Sequence, residues 1–282
     1  MKTNFPYSRA YVEITNICNR SCSFCPGTKR EKRRMTQDEF SHILTQLEGL
    51  TEYVYLHVMG EPLTHPELKA FIELSASRGF KCAITTNGTL LDKCGEALIN
   101  SSLYKINISL HSFETGTADE YLSYINSCID FADKASRRGI LTVLRLWNRG
   151  YDEDRNLDTL AILSKRFFEE EWRFSDRGAR IRHKLHLEFG DRFEWPDSEN
   201  DSLGEEVFCY GLCDHFGILS DGRVIPCCLD REAGIELGNV YERELKDILS
   251  SERAVAIREG FKRRHAVEDL CKKCGYARRF KI

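Results

Sequence analysis

Six short runs rich in β-branched and aromatic residues alternate with helical patterns over the first two thirds of the chain, and this alternation restricts the possible folds more than any other feature. The runs are AYVEIT (10–15), YVYLHV (53–58), FKCAITT (80–86), YKINISL (104–110), ILTVLRL (140–146) and KLHLEF (184–189). Between the first two, Thr36 and Glu39 have the spacing of a capping box, and Phe40, Ile43, Leu44 and Leu47 follow at helical intervals. Pro66 and Gly79 bracket the next helical pattern as start and stop residues. TADEYLSYINSCIDFADKASRRG (117–139) and DRNLDTLAILSKRFFEEE (154–171) continue the series. Parallel neighbours need long crossovers, so repeated strand-helix units predict a parallel sheet of the α/β class. The expected form is a partial (β/α)6 TIM barrel with its helices outside, over residues 1–200, followed by a small C-terminal module over 201–282.

Reactive groups of such a barrel belong on the loops after its strands. Here those loops carry Cys18 to Cys25, then Met59-Gly60-Glu61-Pro62, Thr86-Asn87-Gly88, His111-Ser112 and Trp147-Asn148-Arg149, all converging on one rim. The N-terminal residues contain no apolar core of a signal peptide, and no apolar run approaches the roughly 18 residues of a membrane span. A hydrophobic share of 41% and a net charge of -3 describe a globular chain with no general attraction to nucleic acid or anionic membrane. The basic runs at 29–34 and 262–264 read as solvated faces. A cytoplasmic location is expected, and reducing cytoplasm turns clustered cysteines towards metal or redox roles. Of twelve cysteines, Cys18, Cys22 and Cys25 form one group, and Cys209, Cys213, Cys227, Cys228, Cys271 and Cys274 a second. Cys82, Cys94 and Cys128 lie in apolar segments and read as inert buried thiols.

Cys-x3-Cys-x2-Cys offers three thiolates, enough for three irons of a cubane cluster while the fourth iron keeps an outside ligand. A structural zinc site wants four protein ligands, and no fourth is adjacent. This spacing after the first strand, Phe24 before the last cysteine and Gly60-Glu61-Pro62 after the second strand together resemble the signature of the radical S-adenosylmethionine (SAM) superfamily. The resemblance implies that Cys18, Cys22 and Cys25 ligate a 4Fe-4S cluster whose open iron is chelated by SAM. It implies that Gly60, Glu61 and Pro62 meet the SAM amino group, although Met59 stands where the family's first glycine is usual. By the same resemblance Thr86, Asn87, Ser109, His111 and Arg145 lie where ribose and carboxylate are touched, with Phe24 near adenine. A low-potential donor such as flavodoxin or ferredoxin is the implied electron partner.

The C-terminal pattern Cys209-x12-Gly222-x4-Cys227 followed by Cys271-x2-Cys274 resembles the twitch module, the shortened relative of the SPASM domain. Asp221-Gly222 predicts a hairpin turn that draws the thiol regions together. One auxiliary 4Fe-4S cluster on Cys209, Cys227, Cys271 and Cys274 is implied; Cys213 and Cys228 compete for these places, and zinc is the alternative occupant. The segment is expected to close the lateral opening of the barrel, with DRFEWPDSEND (191–201) as a bridging loop. The implied reaction is hydrogen abstraction by a 5'-deoxyadenosyl radical with net oxidation of a small molecule or a peptide or protein side chain. Alternatives are a redox-neutral epimerase or peptide maturase, with Cys213 or Cys228 as hydrogen donor, and more remotely a non-catalytic metal-binding interaction protein. Because the first strand begins near residue 10, no leader-peptide recognition domain is expected before it. Trp147, Arg149, Trp172, Arg182, Arg192, Phe193 and Trp195 are further candidates to face substrate.

Overall fold

The structure of the protein, a computed structural model, describes residues 5–151 and 153–280. Its elements follow in the order β1 (Arg9–Val12), α1 (Gln37–Leu47), β2 (Tyr53–Tyr55), α2 (Leu68–Ser77), β3 (Lys81–Thr86), α3 (Leu91–Ile99), β4 (Lys105–Ser109), α4 (Ala118–Arg137) and β5 (Leu141–Arg149). There follow α5 (Asp154–Arg166), β6 (Arg173–Ser175), β7 (Gly178–Arg182), β8 (Leu185–Asp191), β9 (His215–Ile218), β10 (Arg223–Ile225), β11 (Gly238–Asn239), α6 (Leu245–Leu249), α7 (Glu252–Lys262) and α8 (Asp269–Lys272). Capping boxes at Thr36 with Glu39 and at Thr117 with Glu120 start α1 and α4 by satisfying amides that the first helical turn leaves without partners.

All six expected strands form, and β1, β2, β3, β4, β5 and β8 pair in parallel in that order. Alternate side chains point to opposite faces. One set, including Ala10, Val12, Val54, Leu56, Ile84, Ile106, Ile108 and Leu144, is fully buried in the core with Phe40, Ile43, Leu44, Phe71 and Ile125 of the helices. The other set faces into the barrel and reads Arg9, Tyr11, Tyr55, His57, Thr85, Lys105, Asn107, Arg145 and Glu188. Barrels of this type are ordinarily filled by branched apolar side chains, so this interior is chemically exceptional. Cys82 and Cys128 are buried as expected, and burial raises both thiols; Cys94 is half-buried against the core.

Two features differ from expectation. The helix expected through Glu171 stops at Arg166, and β6 and β7 then form an antiparallel hairpin against β8. At the other edge β9 pairs in parallel with β1, and the expected turn at Gly222 (φ +87°) folds β10 back antiparallel on β9. The C-terminal segment therefore closes the barrel's flank by extending its sheet, and all eleven strands form one sheet. Among the described residues no helix is long and apolar enough to cross a membrane.

Candidate active site

The three-cysteine loop leaves β1 and is pinned at its base. Asn16 Nδ2 donates to Glu31 O (2.7 Å), Arg33 N donates to Asn16 Oδ1 (2.8 Å), and Thr15 Oγ1 donates to Arg33 O (3.0 Å). Gly60 crosses directly over this base at φ +79°, where an added Cβ would meet Asn16 Cα at 2.9 Å and collide with the Thr15 carbonyl. Only glycine fits there, both by conformation and by space. Within the loop Cys25 N donates to Cys22 O at 3.1 Å, and Ser23 N donates to Glu114 Oε2 at 2.6 Å. Burial, then Glu114 and the neighbouring thiols, push Cys22 up to about 11, and burial also raises Cys18 and Cys25. Ligation needs thiolates, so metal binding here displaces protons.

Glu61 closes the gap between the loops after β2 and β3. Its carboxylate, 2% exposed, accepts from Leu63 N (3.0 Å), Thr86 Oγ1 (2.7 Å) and Asn87 N (2.7 Å). Burial outweighs these donors and raises Glu61 to about 7. Asn87 Nδ2 in turn donates to Asn19 Oδ1 in the cysteine loop at 2.9 Å. Phe24 lies with its ring centroid 4.8 Å from that of His111, which burial lowers to about 4 and so keeps neutral. Ser109, Arg145 and Glu188 share one register across β4, β5 and β8, and Arg145 Nε pairs with Glu188 at 3.1 Å. Glu61, Thr86 and Asn87 are thus joined to one another and, through Asn19, to the cysteine loop; Phe24 of that loop meets His111, Gly60 crosses its base with Pro62 beginning the turn that follows Glu61, and Ser109 and Arg145 pair across β4 and β5.

A buried acid that sequence reasoning did not single out joins these parts. Glu13 of the loop after β1, fully buried, accepts both oxygens' worth of contact from Arg30 Nη2 (2.8 and 2.7 Å), and further hydrogen bonds from Met59 N (3.1 Å) and Ser220 Oγ (2.9 Å). Arg30 Nε donates to Arg231 O at 2.7 Å, and Arg231 pairs with Asp197 at 2.5 Å. Cysteine loop, second rim loop and C-terminal hairpin are therefore fastened at one carboxylate. Its only sequence signal was a charge inside the strand-like run AYVEIT.

Cys209, Cys227, Cys271 and Cys274 line one cavity, together with Pro196, Pro226, Phe261 and Leu270. Burial raises Cys209 to about 12 and lifts Cys227, Cys271 and Cys274, and the thiols raise one another further. The amide of Gly211 donates to Cys209 Sγ at 3.4 Å. Among the described residues no three Cys, His or acidic groups converge on a single ion position; the four thiols line a common space, and four thiolates are a donor set for a 4Fe-4S cluster and for zinc alike. Cys213 and Cys228 are not on this wall. Cys213 Sγ donates to Arg258 O at 3.9 Å, whereas Cys228 meets the Tyr11 hydroxyl at the barrel interior.

The bridging loop reaches back to the cysteine loop, with Trp195 Nε1 donating to Phe24 O (3.0 Å) and Arg192 Nη2 to Ser23 O (3.2 Å). Phe193 stacks edge-on to Tyr276 at 4.9 Å. Trp147 lies under Arg145, 4.5 Å from its guanidinium, and Arg149 over Phe189. Trp172 and Arg182 lie elsewhere. Arg182 pairs with Leu185 at the amino end of β8 and binds Asp133 and Glu170, and Trp172 stacks on Phe174 of the inserted hairpin, so both sit at the end of the barrel opposite the rim. That hairpin lies between the helical run that ends at Glu171 and the strand run that begins at Lys184, in residues to which sequence reading gave no element.

A parallel partial barrel with a three-thiol loop on its rim and a four-thiol cavity on its extended flank has the donor sets of a protein that holds iron-sulfur clusters. The chain belongs to the radical SAM superfamily, whose family model matches residues 12–175, and the SPASM model, an iron-sulfur cluster-binding domain, matches residues 209–275. SAM and 4Fe-4S clusters are its cofactors. The GTP 3',8-cyclase of Alkaliphilus oremlandii is 28% identical over 167 residues, 54% of this chain and 51% of that protein, so the chain spans about half the length of that relative. The GTP 3',8-cyclase of Microcystis aeruginosa is 32% identical over 276 residues, covering 80% of this chain and 82% of that protein. Among solved structures, BtrN in complex with AdoMet and 2-DOIA superposes with a TM-score of 0.64 at 18% identity, covering 96% of this chain and 94% of that chain, which shows a shared fold.

Proposed function

We propose that this radical SAM enzyme carries out a net oxidation of a small molecule or a peptide or protein side chain, working in the cytoplasm with a flavodoxin- or ferredoxin-type donor. The observation that carries the proposal is the pair of thiol sets, three on the rim loop and four around the flank cavity. Cys18, Cys22 and Cys25 hold the SAM-binding cluster, and Cys209, Cys227, Cys271 and Cys274 hold an auxiliary cluster with no open iron, suited to accept an electron. With reductant, the bound groups supply a 5'-deoxyadenosyl radical able to take hydrogen from an unactivated carbon. The chain's own residues would orient and shield: Glu61 would meet the SAM amino group, Phe24 the adenine and His111 the ribose or carboxylate, and the bridging loop at Trp195 would exclude water. The test is iron, labile sulfide, zinc and 5'-deoxyadenosine after anaerobic reconstitution. About eight irons per chain with deoxyadenosine support the reading; about four irons and one zinc would replace the electron acceptor by a structural clip.

Two further outcomes are expected. Replacing Cys271 and Cys274 by Ala should spare deoxyadenosine formation and stop formation of the oxidised product; continued turnover would remove the electron-accepting role. SAM affinity should depend on pH through Glu61. The iron-bound amino group of SAM donates a hydrogen bond that favours the ionised carboxylate, so affinity is full above the free-state value of about 7 and falls as pH drops through it, by up to about tenfold per unit from this group. Binding titrations between pH 5 and pH 8 should show a steeper fall in the parent chain than in Glu61→Gln, where only the proton lost by the SAM amino group on chelation remains.

The placement of Cys228 favours a second reading, a redox-neutral outcome. There the thiol gives its hydrogen atom to the substrate radical, and the external one-electron donor with a proton restores the sulfur. Deuterium from solvent in the product, lost in Cys228→Ala, would select it over oxidation.

A further inference from the structure

The inward face of the barrel is charged and aromatic where packing alone would place branched apolar residues. Tyr11 stands 5.4 Å from Tyr55, tilted at 51°, and 5.5 Å from both His57 and His215, whose rings meet it nearly edge-on, forming an aromatic cluster. Three cations look onto it. Arg9 pairs with Asp214 at 3.2 Å and Arg145 with Glu188 at 3.1 Å. Lys105, 5.9 Å over the Tyr55 ring, has no carboxylate at ion-pair distance among the described residues. An enclosed cation without a counter-charge is costly, and burial together with Arg145 and Arg9 already draws Lys105 down to about 8.

The same face carries buried polar atoms with no partner. Asn107, fully buried, directs Nδ2 to Thr85 Oγ1 at 3.0 Å and leaves Oδ1 unsatisfied. His57 meets Thr85 Oγ1 through Nε2 at 3.1 Å and leaves Nδ1 unsatisfied. Trp147 Nε1, beside Arg145, is a third. Buried polar groups are ordinarily satisfied, and these three, just after β2 and on β4 and β5, mark where a ligand would supply what the fold lacks.

We infer that the inner face binds a small polar molecule bearing an oxyanion, a phosphate ester or a carboxylate, against Lys105, and a hydroxyl or amine against Asn107 Oδ1. This names the substrate class for the reaction proposed above and rests on that reading. The tilted rings of Tyr11 and Tyr55 would offer the molecule apolar edges, and Glu188 would accept a second hydroxyl or an amine.

The test is equilibrium dialysis of the anaerobically reconstituted enzyme, saturated with SAM and without reductant, against radiolabelled inorganic phosphate and acetate. The parent chain should bind at least one of them, and Lys105→Met should weaken it by roughly tenfold or more, as loss of a charge-assisted contact does. Lys105→Arg should keep most of the affinity. Asn107→Asp, which sets a negative charge beside the site, should weaken it similarly and serves if Lys105→Met does not fold. A preference for phosphate identifies a phosphate ester, and a preference for acetate a carboxylate. Absence of binding, or binding indifferent to both changes, overturns the inference. If the parent chain forms deoxyadenosine under reductant yet binds neither anion, the substrate class alone is wrong; if it forms none, the radical reaction is wrong.

Discussion

Replacing Cys22 by Ala is expected to reduce deoxyadenosine formation to background while leaving the absorbance of the C-terminal cluster in place. The loop holds three thiols, and Cys22 lies between the other two with its amide partner Cys25 one turn away. Two remaining thiolates cannot retain a cubane that must also leave one iron open. The four thiols of the flank cavity belong to other segments, so their spectrum should survive. Because the loop is half-buried and pinned mainly by Asn16 and Thr15, the apo-chain should lose less than about 1 kcal/mol. Cys18→Ala and Cys25→Ala should behave alike. Loss of both spectral signatures in any of the three would mean that the thiols are divided wrongly between the sites.

Glu13→Ala should give the largest loss of stability. It leaves the Arg30 guanidinium, only 7% exposed, without its counter-charge, and strips Met59 N and Ser220 of their acceptor. Breaking one side of a buried ion pair typically costs about 3–5 kcal/mol, and a denaturant midpoint of the apo-chain reads it directly. Iron content should fall as well, since Arg30 belongs to the cysteine loop. Removing both partners, as Glu13→Met with Arg30→Met, should cost less than Glu13→Ala alone; an equal or greater cost in the double variant would show that the carboxylate matters through its amide partners and not through the charge.

The six parallel strands were legible because each places a β-branched or aromatic run between recognisable helix starts and stops. The flank was less so. Pairing of β9 with β1 joins residues some two hundred positions apart, and no local pattern records such a partner. The neighbouring thiols Cys227 and Cys228 illustrate a finer limit: spacing tells that one cysteine is needed, but both lie in the bend and turn after β10, and only the fold sends Cys227 to the cavity and Cys228 to Tyr11. The polar interior was present in the text of the strands, in Tyr11, Tyr55, His57, Lys105 and Asn107 at every second position. It went unread because strand assignment attends to the apolar half of the alternation.

The backbone hydrogen bonds between β1 and β9 have a consequence for electron traffic. Tunnelling rates fall steeply with separation, and enzymes whose redox centres ride on a moving lid change rate whenever the lid moves. Here the rim loop issues from β1, and of the thiols of the flank cavity Cys209 precedes β9 and Cys227 follows β10 of the same sheet, so the gap between these anchors of the two centres is set by strand register. Exchange between them should keep one pace whether the pocket is filled or vacant, leaving substrate arrival to govern only which atom is oxidised.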